Sequence, residues 1–306
     1  MAMLGAATAT LAVIGATTVA TAQPDTPPAQ HHNTATKKEL LLGTSRYLEA
    51  LLANDPSKVP LAKNARATDL GNTVAVGKGA LWGKATRFQQ RETFADPSTG
   101  STVFFGTAAD KASHTWWWYE LRLSFRGGKI SEVEEIEYQA PDTGFGSEIK
   151  NAQALDPLLD APVPRAERSS PRELIKVADQ YWDSLGSTAS DRGWKTPFSP
   201  SCQRREMGSF TTNGPDQLAG SCVGGFSDPD WRWKVDNRRY YVTDPDRGIV
   251  VGIGMFHTVN PSAPGVEGKS FAVPEIFKVE NGTLVELVAN FNPTGVQIKS
   301  GWPDQR

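Results

Sequence analysis

"TKKELLLGTSRYLEAL" at Thr36–Leu51 and "SPRELIKVADQYWDSL" at Ser170–Leu185 are two copies of one helix. Each opens on a hydroxyl residue with a glutamate three positions later, Glu39 or Glu173. That spacing is a capping box, in which side chain and backbone satisfy each other's first-turn hydrogen bonds. Pro171 takes the first helical position, where a missing N–H costs nothing. Tyr47 aligns with Tyr181.

The correspondence continues down the chain in the same order. Asp69-Leu70-Gly71 matches Glu206-Met207-Gly208, and the turn "DPSTG" (Asp96–Gly100) matches "DPDRG" (Asp244–Gly248). The last pair is "GGKISEVEE" (Gly127–Glu135) and "NGTLVELVA" (Asn281–Ala289), hairpin turns leading into closing strands. The offset grows from 134 residues at the helices to 154 at these hairpins, so insertions accumulate while the order holds. The chain is an internal duplication. Each half reads as α+β, one or more N-terminal helices followed by a run of antiparallel strands. The first module spans 36–139 and the second 170–303. The Pro-, Asp- and Ala-rich stretch 140–169 lacks sustained periodicity and reads as a linker.

Residues 1–22 form a small-residue apolar stretch ending in Ala20-Thr21-Ala22, the small-x-small pattern of signal cleavage, without the usual basic residue ahead of it. A membrane anchor fits less well, because Ala, Thr and Gly outnumber the bulky apolar residues. The expectation is an exported protein, secreted or periplasmic, beginning near Gln23, with 23–35 as a flexible lead-in. The net charge of −2 and the lack of a basic run give no case for nucleic acid or an anionic membrane surface. Two cysteines, Cys202 and Cys222, read as one disulfide in an exported chain. Of four histidines, His31 and His32 fall in the lead-in, so no metal cluster is expected, and no cofactor.

"HTWWWYELRLSF" (114–125) shows how a module is layered. A strand sends alternate side chains to opposite faces. Tyr119, Leu121, Leu123 and Phe125 make one apolar row headed by Trp117, while Trp116 and Trp118 begin an amphipathic row that needs a cover.

A helix carrying "RYLEALLANDPSKVPLAKNARATDLG" and a sheet ending in "FKVENGTLVELVANF" resemble the NTF2-like superfamily, also known as SnoaL-like or ketosteroid-isomerase-like. The second half, through "CQRREMG", the later Cys222 and "VDNRRYYVTDPDRGIVVG", resembles a secreted two-repeat family of uncharacterised function. The resemblance implies two cone-shaped modules, each a curved sheet wrapped around a cavity on its helix side. It places the row from Tyr119 to Phe125 in the first cone. Trp116 and Trp118 then lie outside, under the second module, another subunit or the linker.

In the steroid isomerases of that superfamily a carboxylate base sits beside a tyrosine that stabilises the developing oxyanion. The resemblance implies such pairs at Tyr47 with Asp69 and at Tyr181 with Glu206, although the isomerases' third carboxylate has no clear match in the first repeat. Each pair also reads as a packing tyrosine and a turn-capping acid. His257 ends the apolar row Ile249, Val251, Ile253, Met255, as a general base or a satisfied structural histidine. Glu275 replaces Leu121 in the repeat alignment, which puts a carboxylate in a cavity-facing row with Val273, Phe277 and Val279. Such a group needs a partner or a raised pKa, and a bridge to Arg238 or Arg239 is the structural alternative. A regular hairpin keeps His257 about 16 Å from Glu275. Trp82, His114, Trp117, Tyr119, Tyr240 and Tyr241 are the expected substrate-binding walls.

Two functions fit this reading. One is an exported, cofactor-independent lyase, dehydratase or isomerase acting on a hydrophobic, aromatic small molecule. The other is a noncatalytic module that binds small molecules or proteins, with homo-oligomers formed through the outer sheet faces. An open pocket of about 300 Å³ or more, reached by at least two of Tyr181, Glu206, His257 and Glu275, favours the first. Cones filled by side chains favour the second.

Overall fold

The computed structural model describes residues 35–111, 115–143, 146–147, 149, 157–186, 196–213, 220–224, 232–259, 269–295 and 299–305. The expected signal sequence, His31, His32 and His114 lie outside these residues.

Helix α1 (Lys37–Leu52) begins with the capping box: Glu39 N donates to Thr36 Oγ at 3.3 Å and Thr36 N to Glu39 Oε2 at 2.7 Å. Helix α2 (Pro171–Ser184) repeats it with Ser170 and Glu173 at 3.4 and 2.7 Å. After α1 come β1 (Leu61–Asp69), β2 (Asn72–Val74), β3 (Ala85–Asp96), β4 (Ser101–Asp110), β5 (Trp116–Arg126) and β6 (Lys129–Gln139). After α2 come β7 (Phe198–Glu206), β8 (Ser209–Thr212), β9 (Trp233–Asp244), β10 (Ile249–Thr258), β11 (Ser270–Glu280) and β12 (Thr283–Ala289), with β13 (Asn292–Gly295) appended to β11. The strand orders, β2-β1-β6-β5-β4-β3 and β8-β7-β12-β11-β10-β9, are the same path drawn twice.

Backbone conformation repeats as well. Leu70 and Met207 both adopt positive φ, 44° and 48°, each followed by a glycine at 80°. Gly100 and Gly248 stand at 66° and 64° in the aligned turns. A bulky residue in this region is an outlier, so its recurrence at aligned positions marks common descent of the two halves.

One expectation is corrected. Among the described residues each sheet is preceded by one α-helix, within the one or more expected. Each sheet is mixed, because β1 runs parallel to β6 and β7 parallel to β12. Tight hairpins force consecutive strands antiparallel, whereas β1 and β7 arrive from a helix and are free to run alongside the last strand.

The layers run α1, first sheet, second sheet, α2. Leu40, Tyr47, Leu48 and Leu51 of α1 pack on Phe104, Tyr119, Leu121, Leu123 and Phe125 of the first sheet. Leu174, Val177, Tyr181 and Trp182 of α2 pack on Val250, Val273, Phe277 and Leu287 of the second. Between the sheets lie Phe94, Val103, Phe105 and Ile136 against Val242, Ile249, Val251, Ile253 and Ile276. The outer faces of the two modules therefore cover each other. Trp118 is buried among Ala140, Ile149 and Met207 and donates to Gly146 O at 3.1 Å, so linker and second module share it. Trp116 lies half-buried beneath the Arg87 guanidinium.

The layer between the sheets also holds charge. Arg239 Nη1 donates to both oxygens of Glu134, at 2.9 and 2.7 Å, and Arg122 Nε reaches the same carboxylate at 3.1 Å. Glu120 accepts from Asn290 at 2.6 Å and Asn292 at 3.0 Å, and burial pushes its pKa up to about 8. Asp96 accepts from both the N–H and the hydroxyl of Thr243. These are long-range ties between halves, and each satisfies a buried polar group that is costly alone.

Candidate active site in the first cone

The first cone is built on β6, whose residues Val133, Glu135 and Glu137 share the face toward α1. Glu135 stands opposite Leu121 across the antiparallel ladder and beside Asp69 across the parallel one. Its Oε1 accepts two hydrogen bonds, from Tyr119 Oη at 3.0 Å and from Trp82 Nε1 at 3.1 Å. Tyr47 Oη is buried nearby, close enough to Glu135 for each to shift the other. Its ring meets Trp82 edge-on, the centroids 5.7 Å apart. The N–H of Ala80 is shared by Asp69 Oδ2 at 2.9 Å and Glu137 Oε1 at 3.2 Å.

Three carboxylates thus meet in one water-poor place. Burial, opposed by the hydrogen bond from Tyr119 and reinforced by the Asp69 charge, pushes Glu135 up to about 7. Burial first, then the charges of Glu135 and Asp69, holds Glu137 well above the carboxylate range. Its Oε2 is buried, and the Asp69 carboxylate lies within hydrogen-bonding reach of the Glu137 carboxyl. Tyr47 and Tyr119 are raised as well, by burial and then by the Glu135 charge. Adjacent acids whose environments separate their pKa values can divide the roles of base and proton donor.

The second cone places its carboxylate on the other strand of the corresponding ladder pair. Leu121 faces Glu135 in the first sheet, and Glu275 faces Ala289 in the second. Glu275 lies in the predicted row with Val273, Phe277 and Val279. Its Oε2 accepts from Trp182 Nε1 and its Oε1 has no partner. The alternative bridge is absent: Arg238 pairs with Asp179 and Asp183, and Arg239 with Glu134. Burial, reinforced by the Glu206 charge, holds Glu275 well above its ordinary range. Tyr181, Glu206 and Glu275 act on one another electrostatically, and Arg204, 3.4 Å from Glu206, supplies a cation that the first cone lacks among its described residues.

Other predicted residues fall elsewhere. Tyr240 stacks on Trp182 at the second cone and donates to Asp179 at 2.7 Å. Tyr241 belongs to the layer between the sheets, hydrogen-bonded to Arg239, and β9 breaks register with β10 twice, between Asp236 and Arg239 and again at Tyr241, which has no partner opposite it in that ladder. Trp117 packs against the first core under Lys84. His257 is opposite Ser270 and Gly252 opposite Glu275, so the five-residue separation holds and the two side chains point to opposite faces. Both His257 nitrogens are engaged, Nδ1 with Ser270 at 2.8 Å and Nε2 with Asp236 at 3.0 Å. A hollow of about 610 Å³ adjoins His257, Met255, Lys299 and Trp302, and another of about 370 Å³ lies beside the start of α2; neither is lined by the cone acids. Cys202 and Cys222 are joined, Cα atoms 5.9 Å apart.

Glu135 and Glu137 were not anticipated from the sequence. The available signal was "EVEEIEY", where glutamates occupy both faces of a strand near the middle of a sheet. No group of three or more His, Cys, Asp or Glu side chains is arranged to hold a metal ion among the described residues, and no described helix is long and apolar enough to cross a membrane.

Residues 167–291 match the family model of a domain of unknown function, DUF8021. No curated protein matches the chain. Among solved structures, a protein of unknown function with a cystatin-like fold from Methylobium petroleophilum PM1 is 12% identical, over 36% of this chain and 82% of its own, at a TM-score of 0.30. AclR, a putative hydroxylase from Streptomyces galilaeus, is 14% identical over 34% of this chain and 91% of its own, TM-score 0.28. An NTF2-like protein of unknown function from Burkholderia xenovorans LB400 is 12% identical over 39% and 97%, TM-score 0.29. Likeness of this degree assigns no activity.

Proposed function

We propose that the first cone is a cofactor-independent proton-transfer site, of the isomerase or lyase kind, in an exported NTF2-like tandem protein. Supporting this reading is Glu135, a carboxylate near 7 that accepts from Tyr119 and Trp82 and stands beside a second acid held well above the carboxylate range. A base poised near the working pH combines the right protonation state with useful driving force. Glu135 takes a proton from carbon next to an electron-withdrawing group. The Tyr119 O–H, turning from the Glu135 carboxyl once that group is protonated, and the Glu137 carboxyl then donate hydrogen bonds to the oxygen on which charge develops, in a site that excludes water. Tyr47 offers an aromatic wall to a hydrophobic substrate. The second cone, with Arg204 and Glu206 paired beneath Glu275, serves as scaffold.

The test is a screen of the chain from Gln23 onward against enolisable aryl ketones and aromatic alcohols, following solvent deuterium exchange at carbon by NMR. Glu135→Gln is expected to cut exchange at least about 100-fold, the usual contribution of a positioned base, while Glu275→Gln retains it. Equal exchange by wild type and Glu135→Gln removes Glu135 from the chemistry. The noncatalytic binding reading keeps one specific support: Tyr47, Tyr119 and Trp82 fill the first cone, and the hollows lie elsewhere.

A further inference from the structure

Both buried carboxylates accept an indole N–H, but the two indoles come from different places. In the second cone the donor is Trp182, carried by α2 and 1% exposed. Its ring lies over β10 where Gly252 leaves room: a β-carbon there would stand 2.8 Å from the ring, and Tyr240 stacks on its other side. That indole is part of the framework. In the first cone α1 has no tryptophan, and the donor comes from the segment joining β2 to β3. Trp82 sits there between Gly77 and Gly83, whose φ angles of 89° and 76° only glycine adopts readily. Gly79 lies so close to Glu135 Oε2 that a β-carbon would overlap it. Leu81 and the Trp82 ring are buried in the core with Val76 packed against them, and the Ala80 N–H and the Trp82 indole N–H tie the segment to the acids.

We propose that Trp82 is a displaceable plug standing in for the ligand, so that the first cone takes a planar aromatic of indole size with an N–H or O–H aimed at Glu135. Residues 77–83 swing away on their flanking glycines, and the ligand's donor replaces that of Trp82 on Oε1. Edge-to-face contact with Tyr47 then reads the ring. The second cone takes no such ligand, because its indole cannot leave without unseating α2. This inference rests on the first cone being the working site, yet it concerns occupancy and requires no turnover.

The experiment uses indole itself, with indene as a ring of the same shape lacking the N–H. In Trp82→Ala, indole is expected to bind at least about ten-fold more tightly than in wild type, as apolar rings enter engineered cavities, and more tightly than indene. Adding Glu135→Leu removes that preference. Trp82→Leu, which keeps an apolar filler, gives the same comparison if the alanine variant loses cooperative unfolding. In wild type, saturating indole speeds hydrogen exchange of amides 77–83 and leaves α2 unchanged. Equal affinities for indole in wild type and the Trp82 variants, or a preference over indene that survives Glu135→Leu, overturns the proposal. Binding as expected without carbon deuterium exchange leaves it standing and removes the catalytic reading instead.

Discussion

Replacing Glu120 with glutamine isolates one buried proton. Glu120 is 1% exposed between the two sheets, and its pKa rises from 4.5 to about 8 despite the amide donors of Asn290 and Asn292. A carboxyl raised on folding stays protonated in the native state over a window where the unfolded chain has already ionised. The native state therefore binds more protons between about pH 4.5 and 8, and stability falls as pH rises through that window. Below it the contribution is fully present, and above it the loss levels off. At about 1.4 kcal/mol per pH unit, the 3.5-unit shift amounts to about 5 kcal/mol across the window and about 3 kcal/mol by pH 7. Glutamine keeps the shape and carries no proton to lose. Urea unfolding of wild type and Glu120→Gln from pH 4.5 to 9 is expected to give curves that agree at the acid end and diverge steadily, the variant being the more stable at pH 9. Because Glu135, Glu137 and Glu275 titrate in both proteins, only the difference between the curves reports on Glu120. Parallel curves, or a divergence of opposite sign, would refute the reasoning.

Glu134→Ala leaves Arg122 and Arg239 buried without their shared carboxylate. A loss of about 3–5 kcal/mol in unfolding free energy is expected, the usual cost of stranding a buried charge, and a loss below about 1 kcal/mol contradicts it. Cys222→Ser opens the disulfide that spans 20 residues. Chemical denaturation is expected to show a loss of about 2–4 kcal/mol, with no further loss when reductant is added to the variant.

The duplication was legible because its markers are local: a capping box, a turn that needs positive φ and an Asn-Gly hairpin each fix backbone within a few residues. The disulfide followed from having two cysteines. Glu275 was legible because it interrupts an apolar row of period two. Glu135 was not, since "EVEEIEY" reads as a solvated edge strand until β1 is known to lie beyond it, parallel and paired at Asp69. The facing of Tyr240 and Tyr241 depended on the two register breaks in β9, between Asp236 and Arg239 and at Tyr241, and alternation alone cannot locate such irregularities. Trp82 went unread as a donor because it sits outside any periodic element. Its partner is 53 residues away, a contact that closes only in three dimensions.

The polar layer between the sheets bears on the fate of a severed half. Synthesised without its twin, residues 36–139 would leave the Arg122 guanidinium and the Glu120 carboxyl facing water beside a bare sheet face of Phe94, Val103, Phe105 and Ile136. Such a fragment is sticky and mispaired, so a nick or stop codon between the repeats yields an aggregating remnant in place of a smaller working protein.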